Sequence, residues 1–202
     1  MRLVTLGVGA ADSPRYAPAG LLVARGGVRV MLDGGPGAAP SGRRLDAWLV
    51  TDERAELRSQ LRRLAAERGL RPYAGSFQRA ELRIDARPVA HTSHPAFGYL
   101  IQAPEGTVAW APEFLEFPGW AHGVELMFAE AAGWEWPIRF AGGVGGHLHV
   151  PAVAEAARRH RVGRLVFAHI GRPTIRAMDR GEQPVFGEFA RDGQVFRVTS
   201  HR

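Results

Sequence analysis

The sequence contains no cysteine, and no lysine among its 26 basic residues. Without cysteine there is no disulfide, no thiolate ligand and no thiol nucleophile, so any metal must be held by histidine and carboxylate. Arginine in place of lysine throughout raises the isoelectric point, because guanidinium titrates so high. The net charge of +6 is spread along the chain, with short clusters at Arg62-Arg63 and Arg158-Arg159. Nucleic acid is therefore an open partner on charge, but not the favoured one. Long apolar runs are also missing, and none approaches the roughly 20 residues of a membrane span. Met1–Gly7 lacks the apolar stretch and small-residue cleavage site of a secretory signal. These absences lead to the expectation of a cytoplasmic chain with no membrane partner.

What is present suits a folded domain. With 202 residues, 46% hydrophobic and 23% charged, the chain can build a single domain over residues 1–202 around one large core. Short Val- and Leu-rich stretches bounded by Gly or Pro predict strands at Leu3–Val8, Gly20–Ala24, Val28–Leu32 and Asp46–Thr51. Leu57, Leu61, Leu64 and Ala65 recur at helical spacing and predict an amphipathic helix over Glu53–Arg68, ended by Gly69. Further strands are predicted at Glu81–Val89, Phe97–Gln102, Val108–Trp110, Val124–Ala129 and Arg164–Ala168. Pro151 suits the first turn of a helix running to Arg161, and Val185–Val198 predicts a hairpin about Asp192-Gly193. Strands dominate the first two-thirds, with helices between some of them. That order argues for stacked sheets covered by helices.

Five segments, in order, carry a resemblance. They are VTLGVGAADSPRYAPAGLLVARGGVRVMLDGGPG, LDAWLVTDERAEL, HTSHPAFGYLI, GTVAWAPE and GGHLHVPAVAEAARRHRVGRLVFAHIGRP. Together they resemble the metallo-β-lactamase-fold superfamily, and within it the phosphodiesterase and transfer-RNA 3′-processing nuclease branches. The resemblance implies an α/β fold class, an αββα sandwich. It also implies a site where that family places a His-x-His-x-Asp-His motif after a strand. Here those four positions read Asp52, Arg54, Glu56 and Leu57. Glu113 stands at the family's bridging Asp. His91 matches the third His ligand, with His94 close enough to compete, and His169 matches the last. His147 matches the family's additional histidine near the scissile phosphate.

The replaced residues decide which chemistry can remain. Arg54 is always protonated and offers no lone pair, and Leu57 offers none, so a standard dinuclear zinc site is not expected. If Asp52, Glu56 and Glu113 converge, their charges must raise their pKa values or attract a cation. Two readings stay open. In the first, one divalent metal (manganese, iron or zinc) is held by some of Asp52, Glu56, His91, Glu113 and His169. The protein is then a divergent hydrolase of a phosphodiester or another small anionic ester, with His147 as proton donor or oxyanion partner. In the second, Arg54 forks onto Glu56 or Glu113 as a surrogate cation. The protein is then a non-catalytic relative that binds an anionic ligand or nucleic acid through Arg54 and nearby histidines.

Plainer roles exist for several of these residues. Asp52 can cap the following helix, Glu56 can be a first-turn acid favoured by the helix dipole, and Leu57 can begin the core stripe. Trp120, Trp134 and Trp136 read as core or as an oligomer contact, which leaves a homo-oligomer open. The glycine loop Gly142–Gly146 before His147 can bring amides to an anion. Without the Lys and Ser/Thr of a P-loop it is no nucleotide signature. His122, His160 and His201 have no partner identifiable from the sequence.

Overall fold

The computed structural model describes residues 1–42 and 44–199; His201 lies outside them. The first sheet runs in the order β14 (Gln194–Arg197), β1 (Arg2–Gly7), β2 (Gly20–Arg25), β3 (Val28–Asp33) and β4 (Ala47–Leu49). Its strands obey the two-residue alternation of a sheet buried on both faces. Leu3, Leu21, Val23, Val30 and Leu49 enter the main core, while Val4, Leu22, Met31 and Trp48 form a second cluster on the opposite face. That second cluster is closed by Leu61 and Ala65 of α1 (Arg58–Ala66). Each large side chain buried in this way contributes about 1.5–3 kcal/mol relative to exposure.

The second sheet has seven strands, ordered β13 (Glu188–Phe189), β12 (Arg164–Ile170), β9 (Leu126–Ala131), β8 (Gly106–Ala111), β7 (Ala96–Ala103), β6 (Leu82–Val89) and β5 (Phe77–Arg79). Ile84, Tyr99, Ile101, Val108 and Phe128 meet the first sheet in the shared core. α2 (Val150–Arg159), with Pro151 in its first turn, lays Val153, Ala154 and Ala157 against β9 and β12. The layers are helix, sheet, sheet, helix, the expected αββα sandwich. A short α3 (Arg172–Asp179) follows β12, and a small hairpin of β10 (Ile138–Arg139) and β11 (Gly146–His147) stands beside the second sheet. No helix among the described residues is long and apolar enough to cross a membrane.

Two sequence expectations are corrected. The helix predicted over Glu53–Arg68 begins only at Arg58, and residues 53–57 form turns. The reason is Asp52: its Oδ1 accepts the backbone N–H of Arg54 at 2.6 Å, a local turn that competes with helix start. Asp52 therefore does not cap α1, whose N-cap is Leu57 without a side-chain bond. The closing hairpin also does not form. β13 pairs with β12 in the second sheet, while β14 pairs with β1 in the first. Asp192 anchors the crossing between them, its carboxylate accepting from the N–H groups of Val8 and Ala17, both at 2.9 Å.

Candidate active site

The site lies at the C-terminal ends of β8, β9 and β12, which run parallel to one another. Glu113 follows β8 by two residues, Glu130 is the penultimate residue of β9, and His169 is the penultimate residue of β12. Between the pairs Phe167–Ala129 and Ile170–Ala131, two residues of β12 oppose one of β9. This β-bulge holds His169 at φ 58, a left-handed conformation that an ordinary strand residue avoids. The bulge re-aims the imidazole, and Glu130 is the single residue opposite it.

Two carboxylates and three imidazoles interlock there. Glu113 Oε2 lies 2.9 Å from His91 Nε2, and its Oε1 lies 2.9 Å from His169 Nε2. The far side of each ring is also held. His91 Nδ1 is 3.0 Å from the carbonyl of Gly146, and His169 Nδ1 is 3.1 Å from Glu130 Oε1. Glu130 Oε2 lies 2.7 Å from His147 Nδ1. The same carboxylate accepts the N–H groups of Phe114 at 3.1 Å and Ala132 at 2.8 Å. His147 stands over the cluster, its ring centroid 4.8 Å from that of His91 and 5.2 Å from that of His169. Phe140 packs edge-on against both His91 and His147.

These contacts set the electrostatics. Burial disfavours the imidazolium of His169, but the charges and hydrogen bonds of Glu113 and Glu130 outweigh it and hold the pKa well above the usual range. Burial opposes charge on His91 too, yet Glu113 and the Gly146 carbonyl keep its pKa raised. Burial would raise the pKa of Glu113; the His169 and His91 partners instead hold it well below the ordinary value. Glu130 is lowered in the same way, with His147 and His169 outweighing its burial. Beneath the cluster, burial pushes Asp33 up to about 7, despite hydrogen bonds donated by Trp110 Nε1 and by Thr51.

Glu130, His147 and His169 place one donor atom each within 4.8 Å of one another, a spacing that could hold a metal ion. Glu130, however, already accepts from two imidazoles and two amides, which fills a carboxylate's capacity. It is better suited to orient rings than to ligate. His91 Nε2, Glu113 and His169 Nε2 are a second candidate donor set, linked through the two oxygens of Glu113 and less tightly clustered than the first. In it, each ring has its other nitrogen pinned by an acceptor, the usual outer-shell arrangement of metal-binding histidine. Two imidazoles and one carboxylate suit zinc, and also iron or manganese. The donor types present fit a divalent ion.

The cluster opens into a cleft of about 680 Å³ that is also lined by Asp52, His94, Arg54 and Glu56. Of the residues singled out in the sequence, His91, Glu113, His147 and His169 are brought together. Asp52 faces the same cleft but is engaged by His94, with Oδ2 and Nε2 2.8 Å apart. Glu56 and Arg54 are exposed at the rim. Among the described residues the Arg54 guanidinium has no ion pair, and Glu113 is paired with imidazoles instead. Leu57 packs beside the α1 cluster, as its core reading requires. His160 lies between the rings of Phe117 and His122, away from the cleft lining. The strand predicted from the sequence ends at Ala129 and leaves Glu130 outside it, whereas β9 runs to Ala131. A single fully buried carboxylate within the apolar run LMFAEA was the available signal, since such groups stay buried only when partnered.

The architecture and its strand-end cluster of imidazoles and carboxylates define the class to which the comparisons then attach. The β-lactamase superfamily domain model matches residues 36–170, and the chain belongs to that superfamily. No curated protein matches the sequence. Among solved structures, the metallo-β-lactamase fold protein YhfI from Bacillus subtilis aligns with a TM-score of 0.74 at 14% identity, covering 97% of this chain and 99% of that one. The short form of human tRNase Z aligns with a TM-score of 0.71 at 15% identity, over 98% and 99% of the two chains. A diphosphatase from the PhnP family aligns with a TM-score of 0.66 at 14% identity, over 97% of each. At such identities the likeness is one of fold, and it includes the nuclease and phosphatase branches of the superfamily.

Proposed function

We propose that the protein is a divergent metallo-β-lactamase-fold hydrolase with one divalent metal, acting on a phosphodiester or another small anionic ester. The observation that carries this reading is the Glu113 carboxylate clamped between the Nε2 atoms of His91 and His169. Each of those rings spends its Nδ1 on an acceptor of the fold. His91, Glu113 and His169 would hold the ion. When bound, a divalent ion there supplies Lewis acidity, polarising an ester oxygen and acidifying water.

The chain's own residues do the rest. Glu130 fixes His147 through Nδ1, which leaves Nε2 as the nitrogen available to a leaving-group oxygen. Ile138 and Phe140 wall that side of the cleft, with Phe140 edge-on to His147. Arg54 at the rim is suited to meet a negatively charged substrate on entry. The folds of a tRNase Z and a PhnP-family diphosphatase lend support to a phosphoester substrate. The test is hydrolysis of bis(p-nitrophenyl) phosphate by the chain loaded with manganese, zinc or iron, compared with a Glu113→Ala/His169→Ala double variant. Turnover by the wild type alone supports the reading. Equal rates for the two proteins refute it, and anion binding without turnover would favour the non-catalytic alternative through Arg54.

A further inference from the structure

We infer that Asp52 and His94 form a proton-accepting dyad, in which Asp52 holds His94 so that its second ring nitrogen takes the proton of the attacking water. The inference rests on the hydrolase reading above and adds a residue that the family's motif does not contain. Asp52 is buried, and its two oxygens are both committed: Oδ2 to His94 Nε2 at 2.8 Å, Oδ1 to the N–H of Arg54 at 2.6 Å. The carboxylate therefore cannot turn away from the imidazole.

The two segments that carry the pair are themselves laced together. Phe97 N–H donates to the Thr51 carbonyl at 2.8 Å, and the Tyr99 hydroxyl donates to the Val50 carbonyl at 2.6 Å. On the His94 side, the Thr92 hydroxyl donates to the His94 carbonyl at 2.9 Å. His94 is half-buried, and it lines the same cleft as Glu113, His147 and His169. An imidazole on a cleft wall, oriented by a buried carboxylate, is the arrangement a general base requires. Asp52 stands at the first position of the metal motif, where Arg54 and Leu57 have removed two further donors. With fewer cations to acidify water, more of the proton's removal falls to a side chain.

The cleft thus holds two carboxylate–imidazole pairs of opposite use. Glu130 takes Nδ1 of His147 and leaves Nε2; Asp52 takes Nε2 of His94 and leaves Nδ1. In the step, water gives a proton to His94 Nδ1 while its oxygen bonds to the substrate phosphorus. The bond from phosphorus to the leaving oxygen breaks, and that oxygen takes the proton carried by His147. Water and diester become monoester and alcohol; His94 then loses its proton to solvent and His147 regains one.

The test follows bis(p-nitrophenyl) phosphate hydrolysis by the manganese-loaded full chain and its His94→Gln, His94→Ala and Asp52→Asn variants. Long-range proton–nitrogen spectra of the histidine rings are recorded on metal-free protein. The expected result is a fall in kcat of about 10²–10⁴-fold in His94→Gln, with KM and melting temperature little changed. Free imidazole should restore part of the rate of His94→Ala. The spectra should show His94 protonated on Nε2 and bare on Nδ1, an arrangement lost in Asp52→Asn. Retained kcat in His94→Gln, no rescue by imidazole, or a His94 ring protonated on Nδ1 would overturn the dyad while leaving the hydrolase reading intact. Absence of turnover by the wild type would overturn both.

Discussion

Glu130 Oε1 lies 3.1 Å from Nδ1 of His169, across the bulge where two residues of β12 oppose one of β9. A buried carboxylate thus fixes the ring whose other nitrogen faces Glu113. The bulge in β12 aims the imidazole, and Glu130 locks it.

Removing that lock should be costly. Glu130→Ala leaves two imidazole nitrogens and two amides without their acceptor. The expected loss is about 3–5 kcal/mol of stability, the range for breaking a buried pair, read by chemical denaturation. Glu130→Gln keeps the shape but sets an amide donor against donors, and should weaken metal affinity about 10–100-fold by calorimetry.

Two of the carboxylates singled out in the sequence, Glu113 and Glu56, should separate sharply. Glu113→Gln removes the charge shared by His91 and His169 and should abolish metal uptake. Glu56→Ala changes an exposed rim residue; its stability should stay within about 0.5 kcal/mol of the parent, with metal uptake unchanged. Uptake lost in Glu56→Ala would return that residue to the ligand set.

Chelator-treated protein should show a defined pH profile. The raised pKa of His169 gives stability that is fully present below the unfolded value, roughly 6.5, and lost as pH rises through the folded one. Asp33, raised to about 7, acts in the same direction: its neutral form is favoured by folding, so stability falls as pH rises from roughly 3.9 toward 7. Glu113 and Glu130, both lowered, contribute stability present above the unfolded value of roughly 4.3 and lost on acidification. Melting temperature should therefore peak near a mildly acidic pH and decline toward alkaline pH. Added metal, which replaces ring protons, should restore stability most at the alkaline end. A flat profile would contradict the coupling of these groups.

The hairpin beside His91 gives a steric test. Gly146 N–H donates to the His91 carbonyl at 2.8 Å, and the Gly146 carbonyl holds the His91 ring. A Cβ on Gly145 would lie 1.9 Å from the His91 carbonyl oxygen, whereas one on Gly143 meets nothing. Gly145→Ala should therefore displace His91 and weaken both folding and metal binding. Gly143→Ala, strained only by its φ of 70°, should cost about 1–2 kcal/mol. Thermal melts and metal titration of the two variants decide this.

Much of the fold was legible because alternation in β1 to β3 sorts neighbours such as Leu21 and Leu22 into different cores. Order of motifs supplied His91, Glu113, His147 and His169. What was not legible depended on long-range partners. The pattern at residues 53–57 is helical, but Asp52 spends its oxygens on Arg54 N–H and on His94, which is distant in sequence. The Asp192-Gly193 turn looks like a hairpin, yet Asp192 bonds Val8 and Ala17 and sends the last strand to the other sheet. Glu130 was hidden because strand ends are the least certain part of any pattern, and its partners come from two other elements.

The proposed site holds one divalent ion between His91, Glu113 and His169. Elemental analysis of protein purified without chelator or nickel resin tests it directly, alongside the Glu113→Ala/His169→Ala double variant. One equivalent of a divalent metal in the wild type, lost in the variant, is the expected result; no metal, two equivalents, or one equivalent that survives the double substitution would contradict it.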